Sequence, residues 1–311
     1  MQTEESTMDE TAVHRSGGAT RRRVLGGISL GMVYGLAGCV GYTERDRQTA
    51  TEEFSVAGER VDRIVVRGDD SETTVRGWDG TDVRVEATKY AVGETDLSSV
   101  RVTRNVTGGR LSIGVEVPQG FSFGPSGGGL ETLDVRVPRD VRVERVGIDD
   151  GTARVNDVVG DLELSVDDGT VEADGVDGAV DVSADDGEVT VGAVANVGGE
   201  IDDGRLRMSE GAIIGDLTTD DGDFDLAIQG LDGEVTIQCD DGTVEAALAP
   251  TLDATVEIHS DDGSVRIEEG VLDSIETTEG TTRGTVGDGS GQLTIRIDDG
   301  DVRLRPLSAA A

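Results

Sequence analysis

Val182-Ser183-Ala184-Asp185-Asp186-Gly187-Glu188-Val189-Thr190-Val191 is one of eight similar stretches in the second half of this chain. Each stretch contains Asp-Asp-Gly, and the first Asp of the copies stands at residues 149, 167, 185, 202, 220, 240, 261 and 298. The intervals are 18, 18, 17, 18, 20, 21 and 37 residues, and the last divides into 17 and 20 if Glu279-Gly280 is a degenerate copy. A near-constant period of this length predicts a solenoid, in which each repeat buries its apolar side only by stacking on its neighbours.

Apolar and polar residues alternate on both sides of each Asp-Asp-Gly, which is typical of strands with one buried face. The predicted inward residues include Leu162, Leu164, Val166, Val180, Val182, Ala184, Val235, Ile237 and Cys239 before the turns, and Val171, Ala173, Val189, Val191, Val265 and Ile267 after them. We therefore predict an all-β, single-domain parallel β-helix, a solenoid with coils of about 18 residues and two short strands per coil. Like residues would form columns spaced by about 4.8 Å per coil.

The first 38 residues have the features of an export signal. Arg21 and Arg22 belong to a twin-arginine pattern, and a short apolar run follows that is too weakly hydrophobic to span a membrane comfortably. The run ends at Leu36-Ala37-Gly38-Cys39, which resembles a lipobox. We therefore predict that Cys39 is the lipidated first residue of a mature protein anchored on the extracellular face of the cell membrane.

Three segments follow the signal. Residues 39–53 are polar and unpatterned, and we predict a tether there. Residues 54–142 alternate less regularly and are predicted to form irregular N-terminal β coils in the same sheet, a separate β-domain being the alternative. Residues 143–305 are the predicted regular Asp-Asp-Gly solenoid.

Two local patterns lie outside the repeat. Pro118 to Gly129 is rich in glycine and carries Phe121 and Phe123, which favours a flexible loop over a binding tip. Arg303, Arg305 and Pro306 have the character of a charged stop after the last strand. Since open strands at a solenoid end invite head-to-tail stacking, this stop argues for a monomer against a polymerising scaffold.

The amino-acid composition limits the classes of partner that this chain can bind. The chain has 64 acidic and 27 basic residues, and its net charge is −37 at pH 7, which excludes nucleic acid as a partner because phosphate binding requires a basic patch. Lys89 is the only lysine. This excess of acid, with Arg in place of Lys, resembles proteins of extreme halophiles. Cys239 falls in an inward column with Ala184, Thr219 and Ser260, so we predict a small buried thiol.

The mature chain resembles the DUF4097 family of secreted β-strand-repeat proteins described as adhesins. Val75-Arg76-Gly77-Trp78-Asp79, Val135-Arg136-Val137-Pro138-Arg139-Asp140-Val141 and the repeated hydrophobic-x-hydrophobic-Asp-Asp-Gly-x-Val units carry the resemblance, over residues 55 to 305. It implies the solenoid fold and, more weakly, an adhesive role, because fold alone does not specify function. In combination with the signal and the acidic composition, it indicates a haloarchaeal lipoprotein.

Little in the sequence points to catalysis. His259, the only histidine after residue 38, is predicted on the outward side of its strand. No His or Cys cluster has zinc-ligand spacing. A polysaccharide-acting β-helix enzyme is the weakest alternative, because the loops between residues 149 and 265 are too short to wall a groove. We therefore expect no enzyme and no cofactor.

The stacked turns raise the alternative of a cation site. Oxygen ligands on successive coils suit calcium, although the repeat lacks the nonapeptide of calcium β-rolls. The candidate ligands are Asp167, Asp168, Asp185, Asp186, Asp202, Asp203, Asp220 and Asp221. The favoured interpretation is turn chemistry, with Gly supplying a positive φ and Asp capping its own backbone, together with hydration in high salt.

The sequence therefore predicts a lipid-anchored extracellular β-solenoid, a non-catalytic adhesin-like or structural surface protein of a halophile. Its partners would be the membrane, through the lipid, and cell-surface proteins or glycans. A divalent-cation-binding surface module is the alternative function.

Overall fold

The computed structural model describes residues 47–117 and 127–308, which contain 21 β-strands. The strands are β1 Gln48–Ala57, β2 Arg63–Arg67, β3 Glu72–Trp78, β4 Asp82–Val92, β5 Arg101–Thr107, β6 Arg110–Glu116, β7 Gly127–Pro138, β8 Arg142–Ile148, β9 Thr152–Asn156, β10 Leu162–Val166, β11 Thr170–Ala184, β12 Glu188–Ile201, β13 Arg205–Met208, β14 Ala212–Thr219, β15 Asp223–Leu231, β16 Glu234–Leu248, β17 Ala254–Ser260, β18 Ser264–Ile267, β19 Asp273–Thr278, β20 Thr281–Val286 and β21 Gly291–Pro306. Within these two ranges, no helix has the length and hydrophobicity needed to cross a membrane.

The strands form two faces of one solenoid. Face A contains the strands that enter the Asp turns, in the spatial order β5, β6, β2, β8, β10, β11, β12, β14, β16, β21, β17, β20, β19. Face B contains the strands that leave them, in the order β1, β4, β7, β3, β9, β11, β12, β13, β15, β16, β21, β18. The long strands β11, β12, β16 and β21 bend through a turn and serve both faces. The all-β parallel solenoid is therefore confirmed.

The predicted strand phase is also confirmed. Val182 is 1% exposed and Ile237 is fully buried, whereas Thr190, one residue from Val191, lies on the outer side and is partly exposed. Cys239 is buried, as predicted. One buried cluster of mainly Val, Leu, Ile and Ala side chains runs through the stack, because a narrow coil leaves room only for small aliphatic groups.

The order of the coils at the C-terminal end differs from the order along the chain. β21, the last strand, lies between β16 and the β17–β18 coil, in parallel with both. The prediction of a charged stop at Arg303, Arg305 and Pro306 is therefore wrong, since these residues pair inside the stack. Residues 249–290 leave the stack order, build the outer coil and then return.

The long interval between the last two Asp-Asp-Gly copies has a related cause. β19 and β20 form an antiparallel hairpin, and β20 pairs with β17. Glu279-Gly280 is the turn of this hairpin, where Gly280 has a φ of 74°. The prediction of a degenerate coil turn there is wrong, and residues 143–305 include a cap as well as regular coils.

At the N-terminal end, too, the order of the strands in the sheet differs from their order along the chain. β2 and β3 form a regular parallel coil that stacks on β8 and β9, while the intervening strands lie farther out. Residues 54–142 thus contain a regular coil as well as irregular strands, all in the same sheet. The tether prediction is wrong for residues 48–53, which belong to β1. Likewise, Gly127–Gly129 begin β7, paired with β4, while Phe121 and Phe123 lie outside the described residues.

Candidate functional site

The Asp turns stack into a single edge of the solenoid, which we call the Asp ladder. Backbone hydrogen bonds link its rungs: the amide of Asp168 donates to the carbonyl of Asp149 (3.0 Å), and that of Asp186 to Asp167 (2.9 Å). The rungs, in spatial order, are residues 69–70, 149–150, 167–168, 185–186, 202–203, 220–221, 240–241, 298–299 and 261–262. The ladder therefore has nine rungs, one more than the Asp-Asp-Gly copies.

The additional rung, Asp69-Asp70, has Ser71 in place of glycine. Asp149 donates its amide to the Asp69 carbonyl (3.1 Å), and Thr152 donates to the Ser71 carbonyl (3.1 Å), as its counterparts do in later coils. This rung was not predicted from the sequence, because the third residue of the motif is changed. The signal that identifies it is the pair of acids between two alternating apolar strands.

Glycine is required in the other rungs by close approach of the backbone. A Cβ on Gly169 would lie 2.6 Å from the carbonyl oxygen of Gly151, and one on Gly222 would lie 2.7 Å from that of Gly204. Of the ladder glycines, only Gly242 has a positive φ, at 155°. The expectation that these glycines supply a positive φ is therefore wrong for the other rungs.

The ladder carboxylates do not cap their own turns, contrary to the expectation from the sequence. Within the described ranges, one protein hydrogen bond reaches them, from Gln238 Nε2 to Asp240 Oδ1 at 3.3 Å. The opposite edge of the solenoid behaves differently: Asp216 Oδ1 accepts from the Thr236 amide (2.8 Å), and Asp161 Oδ1 from the Ala179 amide (3.2 Å). The ladder thus presents carboxylates to solvent with little compensation from the protein.

Stacking raises the pKa of several ladder carboxyls. For Asp149, burial is the largest cause, followed by the charges of Asp167, Asp70 and Asp150. The pKa of Asp69 is raised by burial and by Asp149. That of Asp241 is raised by desolvation and then by the neighbouring rungs. Each shift shows that the ionised carboxylate is less favourable in the stack than in the unfolded chain.

The eight candidate cation ligands, Asp167, Asp168, Asp185, Asp186, Asp202, Asp203, Asp220 and Asp221, fall on four consecutive rungs. They form two adjacent columns along the edge rather than one converging shell. Across residues 47–117 and 127–308, no group of three or more His, Cys, Asp or Glu side chains is arranged to hold one metal ion. The arrangement favours diffuse association of cations along the ladder over coordination at a point.

The nucleophilic and imidazole groups have other surroundings. Burial raises the pKa of the Cys239 thiol to about 12, so it stays protonated near neutral pH. His259 lies on the outer side of β17, where Nε2 is 3.0 Å from Glu257 and Nδ1 is 3.2 Å from Thr281 Oγ1. Arg21, Arg22 and Cys39, the predicted export and lipidation residues, lie outside the described residues.

Charge is distributed unevenly along the chain. Residues 47–142 have 13 Arg and Lys against 16 Asp and Glu, a net −3, whereas residues 143–308 have 9 against 42, a net −33. Each base of the N-terminal part therefore faces about one acid, as in the pair between Lys89 Nζ and Glu52 Oε1 at 2.5 Å. The regular coils carry almost all of the excess negative charge.

The chain belongs to the family described as Toastrack DUF4097, whose model matches residues 61–305. None of the curated proteins matches it. Among solved structures, a candidate cell adhesion protein from Clostridium sporogenes is 12% identical, with a TM-score of 0.26 over 83% of this chain and 100% of its own.

Two further structures have similar values. A candidate adhesin from Parabacteroides merdae is 11% identical, with a TM-score of 0.41 over 83% of this chain and 96% of its own. One from Bacteroides fragilis is also 11% identical, with a TM-score of 0.30 over 83% and 97%. Likeness at these values concerns the fold alone and not what this chain binds.

The close approach in the ladder predicts a large cost for a methyl group. Gly169→Ala places a Cβ against the Gly151 carbonyl and should lower the free energy of unfolding by about 2 kcal/mol or more. Gly127→Ala is the matched control, because nothing lies within 4 Å of its Cβ, and it should change stability by less than about 0.5 kcal/mol. Chemical denaturation measures both, and equal losses would contradict the steric role of the ladder glycines.

The raised carboxyl pKa values predict how stability depends on pH. The folded chain binds protons on Asp69, Asp149 and Asp241 more tightly than the unfolded chain, so protonation stabilises it. At constant moderate salt, the free energy of unfolding should therefore rise as pH falls from 7 towards the ordinary Asp value of 3.8 and decline as pH rises through the raised values. A fall in stability over that acidification would contradict the assignment.

Two variants test whether the ladder carboxyls, rather than the other carboxyls of the chain, cause the rise in the free energy of unfolding on acidification. Asp149→Asn removes one raised group and should reduce the gain on acidification. Asp96→Asn is the control, because hydrogen bonds from Ser98 lower the pKa of that carboxyl, and it should leave the gain in place.

Proposed function

We propose that this protein is a lipid-anchored, extracellular β-solenoid of a halophile, acting without catalysis as an adhesin-like or structural surface protein. The observation that carries the proposal is the Asp ladder. Nine stacked pairs of carboxylates with little protein compensation suit a chain that folds where molar salt screens them. Such a medium, reached through a twin-arginine signal, is the outside of a halophilic cell.

Attachment to the membrane is supported by the position of Cys39. Only eight residues, 40–47, lie between Cys39 and Gln48, the first residue of β1, so the connection extends at most about 30 Å. The N-terminal end of the solenoid would therefore stay close to the membrane. At this end the numbers of basic and acidic residues are nearly equal, whereas the strongly acidic coils would lie farther from the membrane.

The outer side of face A offers a surface for partners. A shallow groove of about 580 Å³ there is lined by Asp181, Asn196, Gly198, Gly199 and Asp216, among others. The glycines lower its floor, and the carboxylate and amide groups at its sides are suited to hydrogen bonding with hydroxyl groups. Cell-surface glycans or polar protein surfaces fit this groove.

The anchor is tested by separate changes in the two signal elements. Cys39→Ser should release the protein into the medium or leave an uncleaved precursor, because no lipid can be attached. Arg21→Lys with Arg22→Lys should instead block export and retain the chain inside the cell. Fractionation of the native cells with detection of the mature N-terminus measures both outcomes. Unchanged membrane association of the Ser variant, with a mature protein starting well beyond residue 39, would overturn the anchor.

A divalent-cation-binding surface module is the second candidate, favoured by the uncompensated carboxylates of the ladder. The two candidates differ in ion specificity, since screening depends on ionic strength and coordination depends on the ion. Two unit charges about 4.8 Å apart in water interact by roughly 0.9 kcal/mol, and a Debye length of about 3 Å in molar salt removes most of this. Salt alone is thus sufficient to relieve the repulsion.

The salt dependence of folding therefore distinguishes the halophilic surface protein from the divalent-cation-binding module. Dilution from molar to tenth-molar sodium chloride should unfold the protein cooperatively, and millimolar calcium should protect it no better than magnesium. Circular dichroism during the dilution measures this. Selective rescue by micromolar calcium that is lost when Asp185, Asp186, Asp202 and Asp203 become Asn would instead establish the cation module. Full stability in low salt without divalent ions would contradict both candidates.

A further inference from the structure

The C-terminal end of the solenoid is a step. Face B ends at β18, whereas face A continues beyond β17 by two more strands, β20 and β19. The inward side chains of β18, Val265 and Ile267, are only half-buried, although their counterparts in inner coils are covered. Together with Ile275 of β19, which is 49% exposed, they line an open cleft of about 490 Å³.

The same cleft contains an unsatisfied polar group. Ser260 is 8% exposed, and its hydroxyl oxygen is buried without a hydrogen-bond partner. Its counterpart in an inner coil, Thr219, accepts from the Gly222 amide (2.8 Å). The end of the stack therefore lacks the apolar cover that a further layer of strands supplies elsewhere, and it contains an unsatisfied hydroxyl.

The N-terminal end has a step of the opposite kind. Beyond the β2–β3 coil, face B continues by three strands, β7, β4 and β1, whereas face A continues by two, β6 and β5. Here face B protrudes, and Phe54 and Val56 of β1 are partly buried against the core. Face A thus protrudes by two strands at the C-terminal end and recedes by one strand at the N-terminal end, so the edges of face A meet first in a head-to-tail contact.

Strand directions permit pairing across such a contact. β1 runs parallel to the other forward strands of face B, because two successive antiparallel pairings separate it from β7. It therefore has the direction of β18, but contact between the edges of face A leaves the width of one strand between β18 and β1. On face A, β19 runs in the forward direction and β5 in the reverse, so these two would join as antiparallel neighbours. Among the described strands, each of the four pairs with only one neighbour.

The four edge strands also have complementary charges, in a chain whose net charge is −37. β5 carries Arg101 and Arg104 and no acid, whereas β19 carries Asp273 and Glu276 and no base. β1 carries Glu52 and Glu53, and β18 carries Arg266. Contact between β5 and β19 thus brings opposite charges together.

We propose that the partner of the C-terminal end is a second copy of this chain, with β19 beside β5 of the next copy. The contact joins different surfaces of the two copies, so repetition gives open head-to-tail assemblies rather than a closed dimer. The free edges of β19 and β5 gain backbone hydrogen bonds, and Ile275 of β19 is covered. The proposal goes beyond the surface role above, and a tether of up to about 30 Å lets the assemblies lie along a membrane.

Charge reversal with complementation tests the contact between β19 and β5. In the full chain with Cys39→Ser, one variant carries Arg101→Glu and Arg104→Glu, and a second carries Asp273→Arg and Glu276→Arg. Sedimentation velocity at the lowest salt that keeps the proteins folded should show concentration-dependent assembly of the parent. Either variant alone should associate about tenfold more weakly or not at all. An equal mixture of the two should assemble again, because the altered, acidic β5 of one variant meets the altered, basic β19 of the other, and the two native ends also have opposite charges.

The control carries Arg145→Glu and Arg154→Glu. It has the same change in charge as the first variant, but on the sides of the stack, and should assemble as the parent does. Circular dichroism checks that every variant is folded. A parent that stays monomeric at all concentrations would overturn the proposal. Variants that assemble as well as the parent, or that fail to recover in the mixture, would equally overturn it.

Discussion

The short distance between stacked coils is the constraint on which the rest of this structure depends. Backbone hydrogen bonds fix that distance at a few ångströms, and in the ladder the amide of one Asp reaches the carbonyl of the rung before it at about 3 Å. The turn backbones then approach so closely that the third position tolerates only glycine, as at Gly169 over Gly151. Ser71 is consistent with this rule, because it belongs to the first rung and has no Asp turn on its N-terminal side.

The same spacing explains which parts of the fold the sequence predicts. Alternation around Val182 and Ile237 identified the buried face of each strand, because a period of two survives wherever one side is covered. The order of the coils in the stack could not be predicted from this alternation. The copies at residues 240, 261 and 298 present the same apolar columns, so each would stack on either of the others, and only the return path through β19 and β20 places β21 between them. Similarly, the residues of β1 are mostly polar because they form an edge, and they were therefore assigned to a tether.

Prediction of the candidate site had the same limits. The sequence located the eight Asp-Asp-Gly turns and the columns they form, since both follow from the period. It assigned the wrong reason to the glycines, because a positive φ and a close backbone approach select the same residue and differ only in three dimensions. The rung at Asp69-Asp70 is marked in the sequence only by its pair of acids between two alternating apolar strands. The open cleft beside Ser260 depends on contacts between segments far apart in the chain, and no local pattern records it.

Insertion of the terminal coils has a consequence for how the stack is held together. In a solenoid whose coils follow chain order, each end is bound on one side only and frays at little cost. Here β21, the strand nearest the C-terminus, pairs with β16, β17 and β18 and so lies inside the sheet, and the exposed C-terminal end is built from residues 254–286, which the chain continues on both sides. At the N-terminal end, β2 pairs with both β6 and β8, while β1 forms the outer edge of face B and, among the described strands, pairs with β4. These end strands gain their stability from the inner coils and leave their outer edges free, which is the condition that allows an end to be rigid and still available for another strand.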